Sequence, residues 1–144
     1  MRYAYPAVFA PEPEGGFSVT FPDIPEAIAQ GENEEDALFN ARDALVAALS
    51  FYTDDDQPLP SPSIVQGAVL VAVPALAAAK LELHRVKLER GRSNVAIGKM
   101  IGDDEKAVRR LIDPLHKSHI GSVEATLLLL GRELEVGARD RLTA

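Results

Sequence analysis

The chain has 144 residues, which is enough for one domain or two small ones. Apolar residues make up 47% of it and charged residues 26%, a composition typical of a globular protein and not of a disordered one. The absence of cysteine excludes disulfides, iron–sulfur clusters and thiolate zinc sites. The N-terminus lacks the basic-then-apolar pattern of a signal peptide, and no apolar run approaches the roughly 18 residues of a membrane span. We therefore expect a soluble, cytoplasmic protein.

Charge is distributed unevenly along the chain. Residues 1–73 carry two basic and twelve acidic side chains, a net charge of -10, whereas residues 74–144 carry thirteen basic and ten acidic ones, a net charge of +3; together they give the -7 of the whole chain. An acidic domain attracts a basic surface, and a mildly basic one can approach phosphates. This asymmetry predicts two domains with different partners, although chance variation between halves is an alternative.

The first half has strand and turn patterns. Gly15 and Gly16 can adopt the positive φ of a hairpin turn, and the segment after them alternates apolar and polar residues. Pro6 lacks the N–H that a central strand needs, which predicts an edge strand or a strand end. The continuous apolar run near residue 70 predicts a buried strand. Strands are predicted at residues 3–9, 17–21, 27–29 and 68–73.

One long helix is predicted between the third and fourth strands. Asn33 is a favourable N-cap, and acidic residues occupy the first turn. Apolar residues then recur on one face: Leu38, Ala41, Leu45, Ala48, Leu49 and Tyr52. A proline-rich loop at residues 54–66 follows. Residues 1–73 are thus predicted to form an α+β domain with the order β-β-β-α-β.

The second half, residues 74–144, has only helical patterns. Gly91, Gly102 and Pro114 are expected to end successive helices, and Ser93 and either Asp103 or Asp104 to begin two of them. Ser122 is expected to begin the last. Helices this short are unstable alone, so they must pack into one bundle. Helices are predicted at residues 75–90, 94–101, 105–112 and 123–130.

The second and third of these helices have the layout of a helix-turn-helix. Gly98 lies where a side chain would obstruct a close helix crossing, and Gly102 can form the turn. The apolar positions that would share the core are Ile97, Ile101, Val108 and Leu111. Long polar side chains would face outwards, towards bases and phosphates. The candidate DNA-binding residues are Ser93, Asn94, Glu105, Lys106, Arg109, Arg110, Lys117, Ser118 and His119. An ordinary helical bundle with a solvated charged face is the alternative.

Two resemblances bear on function. The segment Ser-Asn-Val-Ala-Ile-Gly-Lys-Met-Ile-Gly at residues 93–102, followed by residues 105–112, resembles the Cro/repressor-type helix-turn-helix, with Gly98 where alanine is commoner. Residues 13–31, with their Gly-Gly-Phe, Pro-Asp-Ile-Pro and Gln-Gly elements, and the following Glu-Asp-Ala-Leu at residues 35–38 resemble the HicB antitoxin signature. The order of the two predicted domains also matches that family.

The HicB resemblance implies a partial RNase H-like N-terminal domain that binds and masks HicA, a small RNA-cleaving toxin. It also implies a C-terminal domain that forms a homodimer or higher even oligomer and represses its own operon by binding operator DNA. Charge is consistent with this, because a toxin that grips RNA presents a basic surface to the acidic domain. The resemblance does not carry over toxin-contacting residues, which stay unassigned.

Catalysis and metal binding are not expected. The predicted strands contain no Asp or Glu, whereas a two-metal nuclease needs several converging carboxylates. Residues 54–56 are three aspartates without the glycine bend and distal glutamate of an EF-hand. His116 and His119 have only His84 as a further histidine and no cysteine to complete a metal site. We predict no catalytic residue, metal or cofactor.

Two other functions stay open. One is a stand-alone helix-turn-helix transcription regulator whose N-terminal domain senses a ligand or drives oligomerisation. The other is a degenerate nuclease. A small basic reading frame beside the gene would favour the antitoxin, and magnesium-dependent RNA cleavage would favour the nuclease.

Overall fold

The computed structural model describes residues 2–140, and this part of the chain contains four strands and five helices. The order confirms the predicted α+β class, with β-β-β-α-β followed by an all-helical region. Most boundaries lie within one or two residues of the predicted ones. The elements are β1 (Ala4–Pro11), β2 (Phe17–Thr20), β3 (Ile28–Gly31), α1 (Glu34–Asp54), β4 (Val69–Ala72), α2 (Ala75–Arg90), α3 (Asn94–Ile101), α4 (Glu105–Ile112) and α5 (Ile120–Leu129).

The described residues cluster into two compact units. The first unit contains residues 2–49, 60–74 and 137–140, and the second contains residues 50–59 and 75–136. Residues 54–56, the three consecutive aspartates, thus belong to the second unit. The charge difference between the units is therefore smaller than that between the halves of the sequence.

The first unit is built on an antiparallel sheet with the strand order β3-β2-β1-β4. Tyr5 of β1, Val19 of β2 and Val71 of β4 are buried, and Ala41 and Leu45 of α1 are buried as well. The sheet and the amphipathic helix thus both contribute to the core of this unit. Gly15 and Gly16, with φ of 99° and 81°, form the predicted turn between β1 and β2.

The prediction that Pro6 marks an edge or a strand end is wrong, because β1 lies between β2 and β4. Val73 N donates to Tyr3 O at 2.9 Å, so in this register Pro6 and Leu70 form a non-hydrogen-bonded pair. The nitrogen of Pro6 therefore faces away from β4. On that other side, pairing with β2 begins only at Val8. The missing N–H consequently removes no ladder hydrogen bond.

The prediction of a buried strand near residue 70 is also wrong in part. β4 lies at the edge of the sheet, and only Val71 and its neighbour Val73 are buried there. Val69 and Leu70 are 42% and 41% exposed. A continuous apolar run indicates a strand, but its composition does not reveal that only one side of the strand is paired.

The second unit has one apolar core, to which all four helices after β4 contribute. Its buried members are Ala79, Leu83, Val86, Ile97, Val108, Ile112, Val123, Leu127 and Leu130. The last helix, α5, begins at Ile120 and not at Val123 as predicted. His119 occupies the N-cap without a side-chain hydrogen bond to the helix, so the sequence offered no capping signal at the actual start.

Candidate nucleic-acid interface

The turn between α3 and α4 has the local geometry that the sequence predicts. Ser93 caps α3, its Oγ accepting from the Ala96 N–H at 3.0 Å. Gly102 ends α3 in the left-handed conformation at φ 72°, which a residue with a side chain adopts only under strain. Asp104 then caps α4, its Oδ1 accepting from Ala107 N–H at 2.8 Å. Three side-chain or backbone signals thus fix where α3 starts and ends and where α4 starts.

Gly98 allows the two helices to approach each other. A Cβ atom on this residue would lie 2.7 Å from the backbone oxygen of Asp103, closer than real Cβ contacts. The Asp103 N–H also donates to the Gly98 carbonyl at 2.9 Å. The predicted role of Gly98 as the small residue at the helix crossing is confirmed. The core beneath is also as predicted: Ile97 and Val108 are fully buried, and Ile101 and Leu111 pack against them.

The outer face of α4 carries the predicted cationic side chains. Lys106, Arg109 and Arg110 are exposed, while Glu105 at the start of the helix is half-buried. Arg109 is paired within the helix: its Nη2 lies 2.7 Å and its Nε 3.1 Å from Oε1 of Glu105. Two of the candidate DNA-binding residues therefore bind each other in the free protein.

Arg109 also lies near an acidic group at the end of α1. Burial raises the pKa of Asp54, the carboxylates of Asp113 and Asp55 raise it further, and Arg109 opposes them. The electrostatic surroundings of Arg109 thus include carboxylates besides Glu105. A DNA phosphate approaching this guanidinium would compete with these groups.

The candidate residues in the loop between α4 and α5 differ in exposure. Lys117 and His119 are exposed. Ser118 is half-buried, and its Oγ accepts from Nζ of Lys80 at 2.8 Å and lies 3.3 Å from Nδ1 of His116. The Ser118 side chain is thus engaged within the unit, whereas its two neighbours face solvent.

The two candidates at the start of α3 are also largely engaged. The Ser93 hydroxyl is the N-cap described above, and Asn94 is half-buried. The Oδ1 atom of Asn94 is buried and has no hydrogen-bond partner in the structure. Because the Ser93 hydroxyl is used in the cap and Asn94 is half-buried, these two side chains shape the start of α3 more than they extend from it.

Sequence reasoning missed three polar residues buried on α2. Lys80 and His84 are both 0% exposed, and Lys87 is 5% exposed. A signal was present, because each of the three lies three or four positions from a buried apolar residue of the same helix. The composition of α2 predicts a helix, but it does not reveal which of its polar residues are buried.

His84 connects α2 to the segment that follows α1. Its Nε2 lies 2.7 Å from the Gln57 carbonyl oxygen, while its Nδ1 is buried and has no hydrogen-bond partner among residues 2–140. Burial lowers the pKa of His84. Nearby, Nζ of Lys87 lies 2.6 Å from Oδ1 of Asp56. A neutral imidazole with the proton on Nε2 satisfies this geometry.

Apolar side chains are exposed on α5. Leu127 and Leu130 belong to the core. Leu128 and Leu129 are 52% and 53% exposed, and Ile120 is 41% exposed. Leu128 and Leu129, adjacent near the end of α5, are thus exposed apolar side chains within the described part of the chain.

The first unit presents an acidic surface. An open groove of about 360 Å³ between the β1–β2 turn and the start of α1 is lined in part by Glu12, Glu32 and Asp36. Further exposed carboxylates, Glu34, Glu35 and Asp43, lie on α1. Over residues 2–140, no group of three or more His, Cys, Asp or Glu side chains is placed to hold a metal ion. Within the same residues, no helix combines the length and apolarity needed to cross a membrane.

Comparison with known proteins identifies the family to which the chain is similar. A family model described as the HicB_like antitoxin of bacterial toxin-antitoxin systems matches residues 4–82. Similar proteins include "Antitoxin HicB 2" of Photorhabdus laumondii, 38% identical over 134 residues that span 93% of this chain and 95% of that protein. "Antitoxin HicB" of Escherichia coli K12 is 35% identical over 92% of this chain and 96% of its own length. The corresponding protein of Pseudomonas fluorescens is 37% identical over 85% and 86%.

The chain belongs to the HicB family of antitoxins. HicB antitoxins are non-enzymatic and pair with HicA toxins.

Proposed function

We propose that this protein neutralises a HicA-type toxin through its first unit and represses its own operon through the second. The observation that carries the DNA half is the α3–α4 geometry: a capped turn, a glycine at the crossing and exposed Lys106, Arg109 and Arg110 on α4. A second helix with this exposed face is the element that enters the major groove in helix-turn-helix proteins.

The toxin half rests on the family and on charge. An RNA-cleaving toxin needs a basic surface to hold RNA, and the first unit offers exposed carboxylates on α1 and around the groove beside it. Opposite charges accelerate association and favour one partner over others. Glu35 and Asp43 are the exposed α1 carboxylates that we expect to be part of this electrostatic attraction.

Operator binding by a repressor of this type requires two recognition helices. A two-fold dimer places them about 34 Å apart, one turn of B-DNA. The exposure of Leu128 and Leu129 on α5 supports assembly of a homodimer or higher even oligomer through the second unit.

The proposal is tested by separating the two activities in the full-length chain. A HicA-type toxin, from a reading frame adjacent to the gene where one is found, is expressed with and without this protein, and growth is measured. Binding of the purified protein to the DNA upstream of its gene is measured in parallel. Arg109→Ala with Arg110→Ala should abolish DNA binding and leave growth protection intact, while Glu35→Lys with Asp43→Lys should weaken protection and leave DNA binding intact.

A stand-alone transcription regulator is the competing function. It predicts DNA binding by the wild-type protein, together with a neighbouring reading frame that is harmless when expressed alone. Protection lost through Arg109→Ala and Arg110→Ala would contradict the division of labour between the units.

A further inference from the structure

A fully buried lysine holds the end of α4. The side chain of Lys80, on α2, is 0% exposed. Its Nζ donates to the carbonyl oxygens of Arg110 at 2.7 Å and Asp113 at 3.1 Å, and to the Ser118 hydroxyl oxygen at 2.8 Å. An ammonium group has three N–H donors and no acceptor, so each donor has one oxygen.

The Arg110 carbonyl needs a donor from outside α4. The carbonyls of the last helical turn have no intrahelical partner, and the residue four positions after Arg110 is Pro114, which has no N–H. Lys80 therefore supplies the hydrogen bond that the proline removes. The Asp113 carbonyl also accepts from the His116 N–H at 3.1 Å, so Lys80 is its second donor. A cation at this place also interacts favourably with the negative end of the helix dipole.

In the ammonium form, each of the three N–H donors of Lys80 has one oxygen. In the neutral form, the two N–H donors would serve the two carbonyls and the Nζ lone pair would accept from the Ser118 hydroxyl. Burial lowers the pKa of Lys80, and the nearby Asp113 carboxylate opposes this effect. An apolar side chain of equal length would fill the space but leave two carbonyls of the α4 end without this donor.

The same three bonds connect two candidate DNA-contacting surfaces. Arg110 and its neighbour Arg109 lie on the last turns of α4, and Ser118 lies between Lys117 and His119 in the following loop. We infer that Lys80 is a positioning residue, which fixes the α4 end and the 113–119 loop in the geometry needed to bind DNA. This inference rests on the proposed DNA binding. Lys80 itself, being buried, does not touch the duplex.

The first test compares Lys80→Met with the wild-type protein at full length. The variant should keep its helical content but bind the upstream DNA roughly tenfold more weakly, the effect of losing charge-assisted hydrogen bonds. Amide hydrogen exchange in residues 113–119 should rise, with exchange in α3 unchanged. Binding and exchange equal to wild type would overturn the inference.

A double-mutant cycle separates positioning from general destabilisation. If Lys80 acts by placing Arg109, then Arg109→Ala should cost less affinity in the Lys80→Met background than in the wild type. Additive losses would overturn the positioning role.

The absence of cysteine permits a matched chemical rescue. Lys80→Cys is alkylated in denaturant either with 2-bromoethylamine, which restores an ammonium at nearly the lysine length, or with 1-bromopropane, which gives a neutral chain of the same size. Only the aminoethylated protein should regain slow exchange in residues 113–119 and DNA affinity. Equal behaviour of the two adducts would contradict the inference.

Ser118→Ala, which retains the lysine, provides a milder variant. It removes one of the three acceptors and should raise exchange in the loop while the protein stays folded; unchanged exchange would count against the inference. If wild-type protein bound no DNA, the proposed function would fail, whereas hydrogen exchange in the two alkylated proteins would still decide what Lys80 does.

Discussion

Arg109 donates from both Nε and Nη2 to one carboxylate oxygen of Glu105, one turn earlier in α4, at 3.1 and 2.7 Å. The Arg109 side chain is 70% exposed, so the pair stabilises the helix only slightly. Its larger effect is on recognition, because it places a negative charge on the face that we propose meets DNA. A guanidinium that binds a phosphate or a base must leave or share this carboxylate.

Glu105→Gln is therefore expected to raise the affinity for DNA of random sequence by a few-fold, because it removes a negative charge from the interface and frees Arg109. The affinity is measured by fluorescence anisotropy at two salt concentrations. Glu14→Gln, in the β1–β2 turn of the first unit, makes the same charge change and serves as the control. An increase of equal size in both variants would assign the effect to net charge alone.

Arg109→Ala and Arg110→Ala should each weaken binding to the upstream operator by roughly 1–3 kcal/mol if the side chain reads a base. Truncating Arg110 leaves its backbone carbonyl, the acceptor of Lys80, in place. Arg42→Ala, an exposed arginine of α1, is the control. Both variants should unfold at a temperature close to that of the wild type, which shows that they are folded. If both bound the operator as tightly as the wild type, the recognition role of α4 would be refuted.

Gly98→Ala should destabilise the second unit by about 1–3 kcal/mol, because the new methyl group would overlap the Asp103 carbonyl. Gly121→Ala is a matched control in α5, where a Cβ meets nothing within 4 Å. That change should stabilise the protein by up to about 1 kcal/mol through helix propensity. Urea unfolding measures both. If Gly98→Ala left the free energy of unfolding unchanged, the α3–α4 turn would have to shift at little cost, contrary to this prediction.

Local signals explain why so much of the second unit was predictable. Ser93, Gly98, Gly102 and Asp104 each act through contacts within a few residues of the chain, and each does in the structure what its residue type indicates. The alternation in β2 and the apolar stripe of α1 likewise depend on one element at a time.

Features that depend on distant parts of the chain were not predictable in this way. The role of Pro6 follows from where β2 and β4 each start to pair with β1, which the sequence of β1 does not contain. Burial of Lys80 follows from Pro114, 34 positions later, which leaves a carbonyl in need of a donor. The exposure of Leu128 between buried Leu127 and Leu130 depends on how α5 is rotated against the bundle.

The exposed leucines of α5 lead to a prediction about assembly. Leu128→Glu with Leu129→Glu should convert the proposed dimer or higher even oligomer to a monomer, because two charges would be buried without partners at the interface. Sedimentation velocity measures the change. Ile64→Glu, at a fully exposed position of the proline-rich loop, adds the same charge elsewhere and should leave the oligomer intact. An oligomer that persists in the double variant would place the interface on another surface.

His84 makes stability depend on pH. Burial and, to a smaller extent, the Lys87 ammonium lower its pKa below the ordinary 6.5, while the bond to the Gln57 carbonyl and the Asp56 carboxylate oppose the shift. The unfolded chain therefore takes up a proton at a higher pH than the folded one. The free energy of unfolding should be fully maintained above pH 6.5 and decrease as the pH falls from 6.5 towards the folded-state pKa.

Urea unfolding between about pH 5 and 8, above the range in which most carboxylates titrate, measures this decrease. His84→Gln keeps an N–H donor for Gln57 and should remove most of the pH dependence, whereas His116→Gln, at an exposed position, should retain it. If wild type and His84→Gln lost stability in parallel, the buried imidazole would not be the group responsible.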